Sequence, residues 1–99
     1  MAEDRTIIAL AALGEPTRFD VVRLLAGRPE GMTAGDLVRL LSADRGTEIK
    51  QNRLSPHFRQ LVLAGLIRAD RRGRNIVYAV VPEAIALVLS EAGRRLGAS

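Results

Sequence analysis

The chain has 99 residues, 47% of them hydrophobic but only 3% aromatic, with no cysteine, one histidine and a formal net charge of +4. This length fits a single domain spanning 1–99, and a core of Leu, Val, Ile and Ala favours packed helices over an aromatic-rich β-sandwich. Without cysteine there is no disulfide, thiolate metal site or thiol switch; without a charged-then-apolar leader or an apolar run near about 18 residues, the expected setting is cytoplasmic, with no membrane contact.

Residues 4–13 (DRTIIALAAL) suit a short helix. Ile7, Leu10 and Ala11 follow the 3.6-residue period, Ile8 and Leu13 widen the stripe, and Gly14 ends it. That is more apolar surface than one side of a small core can cover. Pro16 suits the first turn of a second helix, which carries Phe19, Val22 and Leu25 on one face, flanked by Val21 and Leu24, and closes at Gly27 and Pro29. Thr33 stands three residues before Asp36, the capping-box spacing, ahead of Leu37, Val38, Leu40 and Leu41; this predicts a third helix over about 34–42. The polar stretch 43–48 (ADRGTE) reads as a loop.

A fourth helix follows over about 52–64, with Leu54, Phe58, Leu61 and Val62 as its buried stripe and Gly65 at its end. Arg53, Ser55, Pro56, Arg59 and Gln60 lie off that stripe and form an outward polar and basic face. Proline costs little only in a helix's first turn, so Pro56 predicts a start between 52 and 54 with that turn tightened. Ile76, Tyr78 and Val80 alternate with Val77, Ala79 and Val81 as a strand buried on more than one side, paired with Leu66–Asp70. The connecting RRGRN supplies a turn glycine and three arginines. Pro82 and Glu83 open a last helix with Ile85, Val88 and Leu89 as its stripe and Arg94 and Arg95 at its dipole-favoured end. The resulting fold class is mainly α with a two-stranded β-wing at 66–81, a winged helix-turn-helix of order ααααββα.

Charge is unevenly placed. From Arg45 to Asn75 there are eight basic and two acidic residues, net +6; the remainder has seven basic and nine acidic, net −2. One third of the chain carries all the excess positive charge, as a polyanion-binding surface would. No nucleophile–base pair, glycine-rich phosphate loop or metal cluster accompanies it, so the chain does not read as an enzyme.

Three stretches together, LGEPTRFDVVRLL (13–25), LSPHFRQLVLAGLI (54–67) and RRGRNIVYAV (71–80), resemble the ArsR/SmtB family of bacterial winged-helix repressors. The resemblance covers about residues 5–90. It implies a homodimer built largely from the first and last helices, which represses by occupying operator DNA until a signal releases it. Two departures stand out. The loop between the third and fourth helices is a few residues longer than usual. The family's metal ligands, cysteine pairs before the recognition helix or Asp and His along the last helix, are missing from DLVRLLS and EAIALVLSEAG. Glu83 and Glu91, about two turns apart, make a poor transition-metal site, so neither metal nor other cofactor is expected.

Double-stranded DNA is the expected partner. Lys50, Arg53 and Arg59 are assigned to phosphates, which receive most protein–DNA contacts. Gln51 and Asn52 can each pair bidentately with adenine, or remain solvated. Ser55 would bond a phosphate or base, or cap the helix. His57 is assigned to a phosphate or base edge, with packing against the neighbouring helix or wing as the alternative. Pro56 and Gln60 share that outward face. Arg71, Arg72 and Arg74 would enter the minor groove or clamp phosphates. Ile7, Leu10, Ile85, Val88 and Leu89 are assigned to the dimer interface. An inverted-repeat operator follows from two-fold symmetry. A non-metal small-molecule effector, or a DNA-binding architectural or protein-interaction module without operator preference, remains as an alternative.

Overall fold

In a computed structural model, which describes residues 4–98, the order of elements is that of a winged helix-turn-helix with one strand added. Helix α1 (Arg5–Leu13) starts where the Asp4 carboxylate accepts the Thr6 and Ile7 amides and stops at Gly14. Helix α2 (Pro16–Ala26) is capped in the same way by Glu15, which accepts from Thr17 and Arg18. Strand β1 (Met32–Thr33) leads directly into α3 (Ala34–Arg45), whose first turn holds the expected capping box between Thr33 and Asp36. Then follow α4 (Gln51–Leu63), β2 (Ile67–Arg72), β3 (Asn75–Val80) and α5 (Pro82–Arg95).

Several boundaries differ from those expected. Helix α3 runs to Arg45 rather than 42, because its last turn continues until Gly46 takes a left-handed conformation (φ 67°). The extra loop length is thereby partly absorbed into helix, leaving 46–50 as the connection. β1 was not anticipated. It pairs antiparallel with β3, Met32 opposite Tyr78 and Thr33 opposite Val77, giving the sheet order β1-β3-β2. The hairpin reaches Arg72 opposite Asn75 and turns through Gly73 (φ 63°) and Arg74, a two-residue loop whose first position wants glycine. β3 is not buried on both sides: only Ala79 is buried and Ile76 is 43% exposed, because the wing projects past the helices and only its base meets the core.

The core gathers Val21, Val22 and Leu25 of α2, Leu37 and Leu41 of α3, Leu54, Phe58 and Leu61 of α4, and Leu66 and Ile67 at the base of the wing. Each fully buried aliphatic side chain stabilises the fold by about 1.5–3 kcal/mol. Phe58 also meets Tyr78 of β3, ring centroids 4.7 Å apart and tilted by 38°, which ties α4 to the wing. Leu54, Phe58 and Leu61 sit at spacings of four and three on one helical face, so burying them turns the opposite face of α4 to solvent. Two residues expected inside lie outside: Val62 is 37% and Phe19 is 56% exposed. Burial on α2 is centred on Val21, Val22 and Leu25, and Phe19 falls beyond that arc.

α1 presents its small residues, Ala9 and Ala12, to the core and leaves Ile7 and Ile8 exposed. Of the five residues assigned to a partner, Val88 is buried within the chain, and Leu10 and Ile85 are partly buried against its core. Ile7 and Leu89 remain more than half exposed, joined by Leu87 and Leu96, which the sequence reading passed over.

Candidate nucleic-acid interface

The backbone places α4 one residue earlier than expected. Lys50 occupies the N-cap position and makes no side-chain cap, so neither Asn52 nor Ser55 has that role. The first turn is tightened, with the Arg53 amide donating to the Lys50 carbonyl at 3.0 Å. Ser55 Oγ donates to the Gln51 carbonyl at 3.1 Å. Pro56 lies inside the helix and has no N–H for the Asn52 carbonyl. Both residues are exposed, so water can satisfy that oxygen. The helix ends where the Leu66 amide reaches back to Leu61 and the Gly65 amide to Val62.

Lys50, Gln51, Asn52, Arg53, Ser55, Pro56, Arg59 and Gln60 are all exposed, as are Arg71, Arg72 and Arg74 on the wing. Gln60 turns partly away from this face, lining a small groove with Ile8, Arg18 and Leu63. Among the described residues, Arg23, Arg39, Arg45, Arg68, Arg94 and Arg95 all form ion pairs with carboxylates. Among the described residues, none of Lys50, Arg53, Arg59, Arg71, Arg72 and Arg74 has a carboxylate within 4 Å. The cations of α4 and the wing tip thus carry charge that no carboxylate among the described residues pairs, as do Arg5, Arg18 and Arg28 elsewhere on the chain.

His57 is not on the free face. Its side chain is 27% exposed and its Nδ1 lies 3.4 Å from Glu15 Oε2 and 3.3 Å from an Arg18 guanidinium nitrogen. The histidine therefore packs α4 against the start of α2, the alternative role considered for it. Glu15 is held below its usual carboxylate range: burial pushes it upward, but the Arg18 and Thr17 amides and the charges of His57 and Arg18 outweigh that.

A groove of about 470 Å³ runs beside the start of α4, walled by Arg45, Lys50, Arg53, Thr17 and His57. Arg45 donates to Thr17 Oγ1 at 3.1 Å and to Asp20 Oδ2 at 3.0 Å, and holds the Asp20 carboxyl below its usual range. Arg45 thus braces α3 on α2, and Lys50 and Arg53 supply the groove's open positive charge, with the Glu48 carboxylate on the same wall. The roles of Thr17 and Arg18 as partners of Arg45 and His57 were not marked in the sequence, since those partners lie far along the chain. Among the described residues, no cluster of three or more His, Cys, Asp or Glu side chains could hold a metal, and no helix is long and apolar enough to cross a membrane.

Comparison with known proteins agrees with this geometry. The helix-turn-helix domain family matches residues 13–69. No curated protein matches the chain. Among solved structures, the chain is similar to an ArsR-like transcriptional regulator from Rhodococcus sp. RHA1, with 20% identity and a TM-score of 0.72 over 94% of this chain and 79% of that one. It is similar to a possible transcriptional regulator for arsenical resistance, with 25% identity and a TM-score of 0.71 over 94% and 84%. HlyU from Vibrio cholerae N16961 shares the fold with 20% identity and a TM-score of 0.70 over 91% and 89%.

Proposed function

Because the chain belongs to the helix-turn-helix domain family, we propose that it is a sequence-specific DNA-binding transcriptional regulator, a homodimeric repressor that occupies an inverted-repeat operator. The observation that carries this reading is the set of six uncompensated cations on α4 and the wing tip. Six cations left without an ion pair on the exposed side of α4 and the wing tip suit a polyanion. Helix α4 would lie in the major groove, with Gln51 and Asn52 at base edges and Lys50, Arg53 and Arg59 on phosphates. Arg71, Arg72 and Arg74 would reach the adjacent backbone or minor groove.

Repression and dimerisation rest on the similarity to ArsR-like regulators and on the exposed Ile7 and Leu89 of α1 and α5. With no cysteine and a single histidine already engaged by α2, release by a thiolate- or imidazole-bound metal lacks a ligand set.

The test is a binding titration against sites selected from a random DNA pool. If the dimer neutralises roughly six to ten phosphates, affinity falls by about three to five decades between 50 and 200 mM salt. A flat salt response would refute the DNA reading.

A further inference from the structure

Arg18 is a half-buried cation at a junction of three helices. Its Nε donates to the Ala12 carbonyl at the end of α1, at 2.8 Å. Its Nη1 lies 3.3 Å from His57 Nδ1 on α4. Neither partner is a carboxylate, and no carboxylate among the described residues comes within 4 Å of the guanidinium. Beside it opens a groove of about 230 Å³ between α1 and the second half of α4, lined by Ile8, Ala11, Ala12, Leu63 and Ala64, with Arg18 and Gln60 as its polar groups.

We propose that this groove binds a small monocarboxylate with an apolar body, its carboxylate on the Arg18 guanidinium. The size fits, since a cavity of about 150 Å³ accepts benzene and this one leaves room for a headgroup. The lining fits, being aliphatic except for Arg18 and Gln60. The charge fits, because guanidinium and carboxylate form bidentate, charge-assisted bonds stronger than those to neutral acceptors. The Gln60 amide stands at the same groove as a second donor.

Occupancy would reach the recognition helix through one atom. Nδ1 of His57 faces both Arg18, at 3.3 Å, and Glu15 Oε2, at 3.4 Å. A ring nitrogen can accept from the first or donate a proton to the second, and cannot do both. A carboxylate that draws Arg18 away leaves Nδ1 opposite Glu15 alone. The ligand thereby exchanges one tie between α4 and α2 for another. Any effect of this exchange on operator affinity rests on the regulator reading; the binding event does not.

The chain's single histidine makes the test direct, because one set of imidazole resonances reports on this junction alone. Benzoate is titrated into the DNA-free protein, with benzamide as its neutral counterpart. Benzoate is expected to shift the His57 ring signals saturably and benzamide is not. Arg18→Gln should weaken benzoate binding by about tenfold to a hundredfold, the range for a charged hydrogen bond. Leu63→Glu places a repelling charge at the rim and should weaken it as well; Leu63 is 73% exposed, so this variant keeps the core intact should Arg18→Gln fail to fold. Unmoved resonances, equal response to benzamide, or wild-type affinity in either folded variant would overturn the proposal. None of these outcomes bears on the salt titration, which tests the DNA reading separately.

Discussion

At the scale of single residues, the surface of α4 and the wing divides by what each side chain can reach. Arg72, exposed and without an ion pair, suits a phosphate contact, which positions the protein without reading sequence. Arg72→Ala should therefore weaken operator and random DNA alike and lower the salt slope of the dimer by about two, one for each copy. Gln51→Ala or Asn52→Ala should instead narrow the affinity gap between the two DNAs, as measured by competition with random duplex; a uniform loss would place these amides on the backbone. Local chemistry made such residues legible in sequence: the stripe Leu54, Phe58, Leu61 leaves the rest of α4 facing outward, and Thr33 announces its own cap three residues before Asp36. His57 was not legible in this way. Its partners Glu15 and Arg18 sit far upstream, Arg18 by 39 residues, and nothing local marks the encounter.

At the scale of elements, α4 carries a defect and α1 and α5 share a clasp. Pro56 deprives the Asn52 carbonyl of its helical donor. Replacing it with alanine restores that bond, and Pro56→Ala should stabilise the fold by about 1–3 kcal/mol, below the full interior cost because the site is exposed. Thermal unfolding would show this as a higher midpoint, by about 4–8 °C for each kcal/mol. In the clasp, Arg95 bonds both Glu91 and Asp4, and Arg94 pairs with Glu91 as well. The hydrogen bonds from Arg94 and Arg95 lower the Glu91 carboxyl from 4.5 to about 2, and Arg95 lowers Asp4. Carboxylates depressed in the folded state contribute stability above their unfolded values and lose it on acidification. The clasp should therefore weaken as pH falls from about 4.5 to about 2, a loss that high salt reduces because these groups are exposed. Thermal midpoints measured over that range at low and high salt check both parts. The element that escaped the sequence, β1, is two residues long and exists only through pairing with Tyr78 and Val77; so short a strand has no periodicity to detect.

At the scale of the whole molecule, each chain offers one recognition helix, α4, while half-sites one helical turn apart are separated by about 34–36 Å. Reading both halves of an inverted repeat thus calls for two copies. Ile7 and Leu89 are 55% and 57% exposed, so replacing both with aspartate should leave the single chain folded. Sedimentation should then show a monomer, and cooperative occupancy of paired half-sites should disappear; a variant that still sediments as a dimer would move the interface elsewhere. The excess of apolar residues in the first and last helices was visible in sequence. Their division between core and surface was not, because Val88 and Leu89 are neighbours in the chain and only packing decides which one turns inward. The bond from Arg95 to Asp4 also joins residues 91 positions apart, at 2.7 Å. The polypeptide accordingly runs in a nearly closed circuit, its first helix beginning beside the end of its last. A short linker from the end of α5 to the start of α1, with the chain reopened at the exposed Gly73–Arg74 turn, would give a circularly permuted protein whose helices and strands keep their neighbours, its new ends at the wing tip.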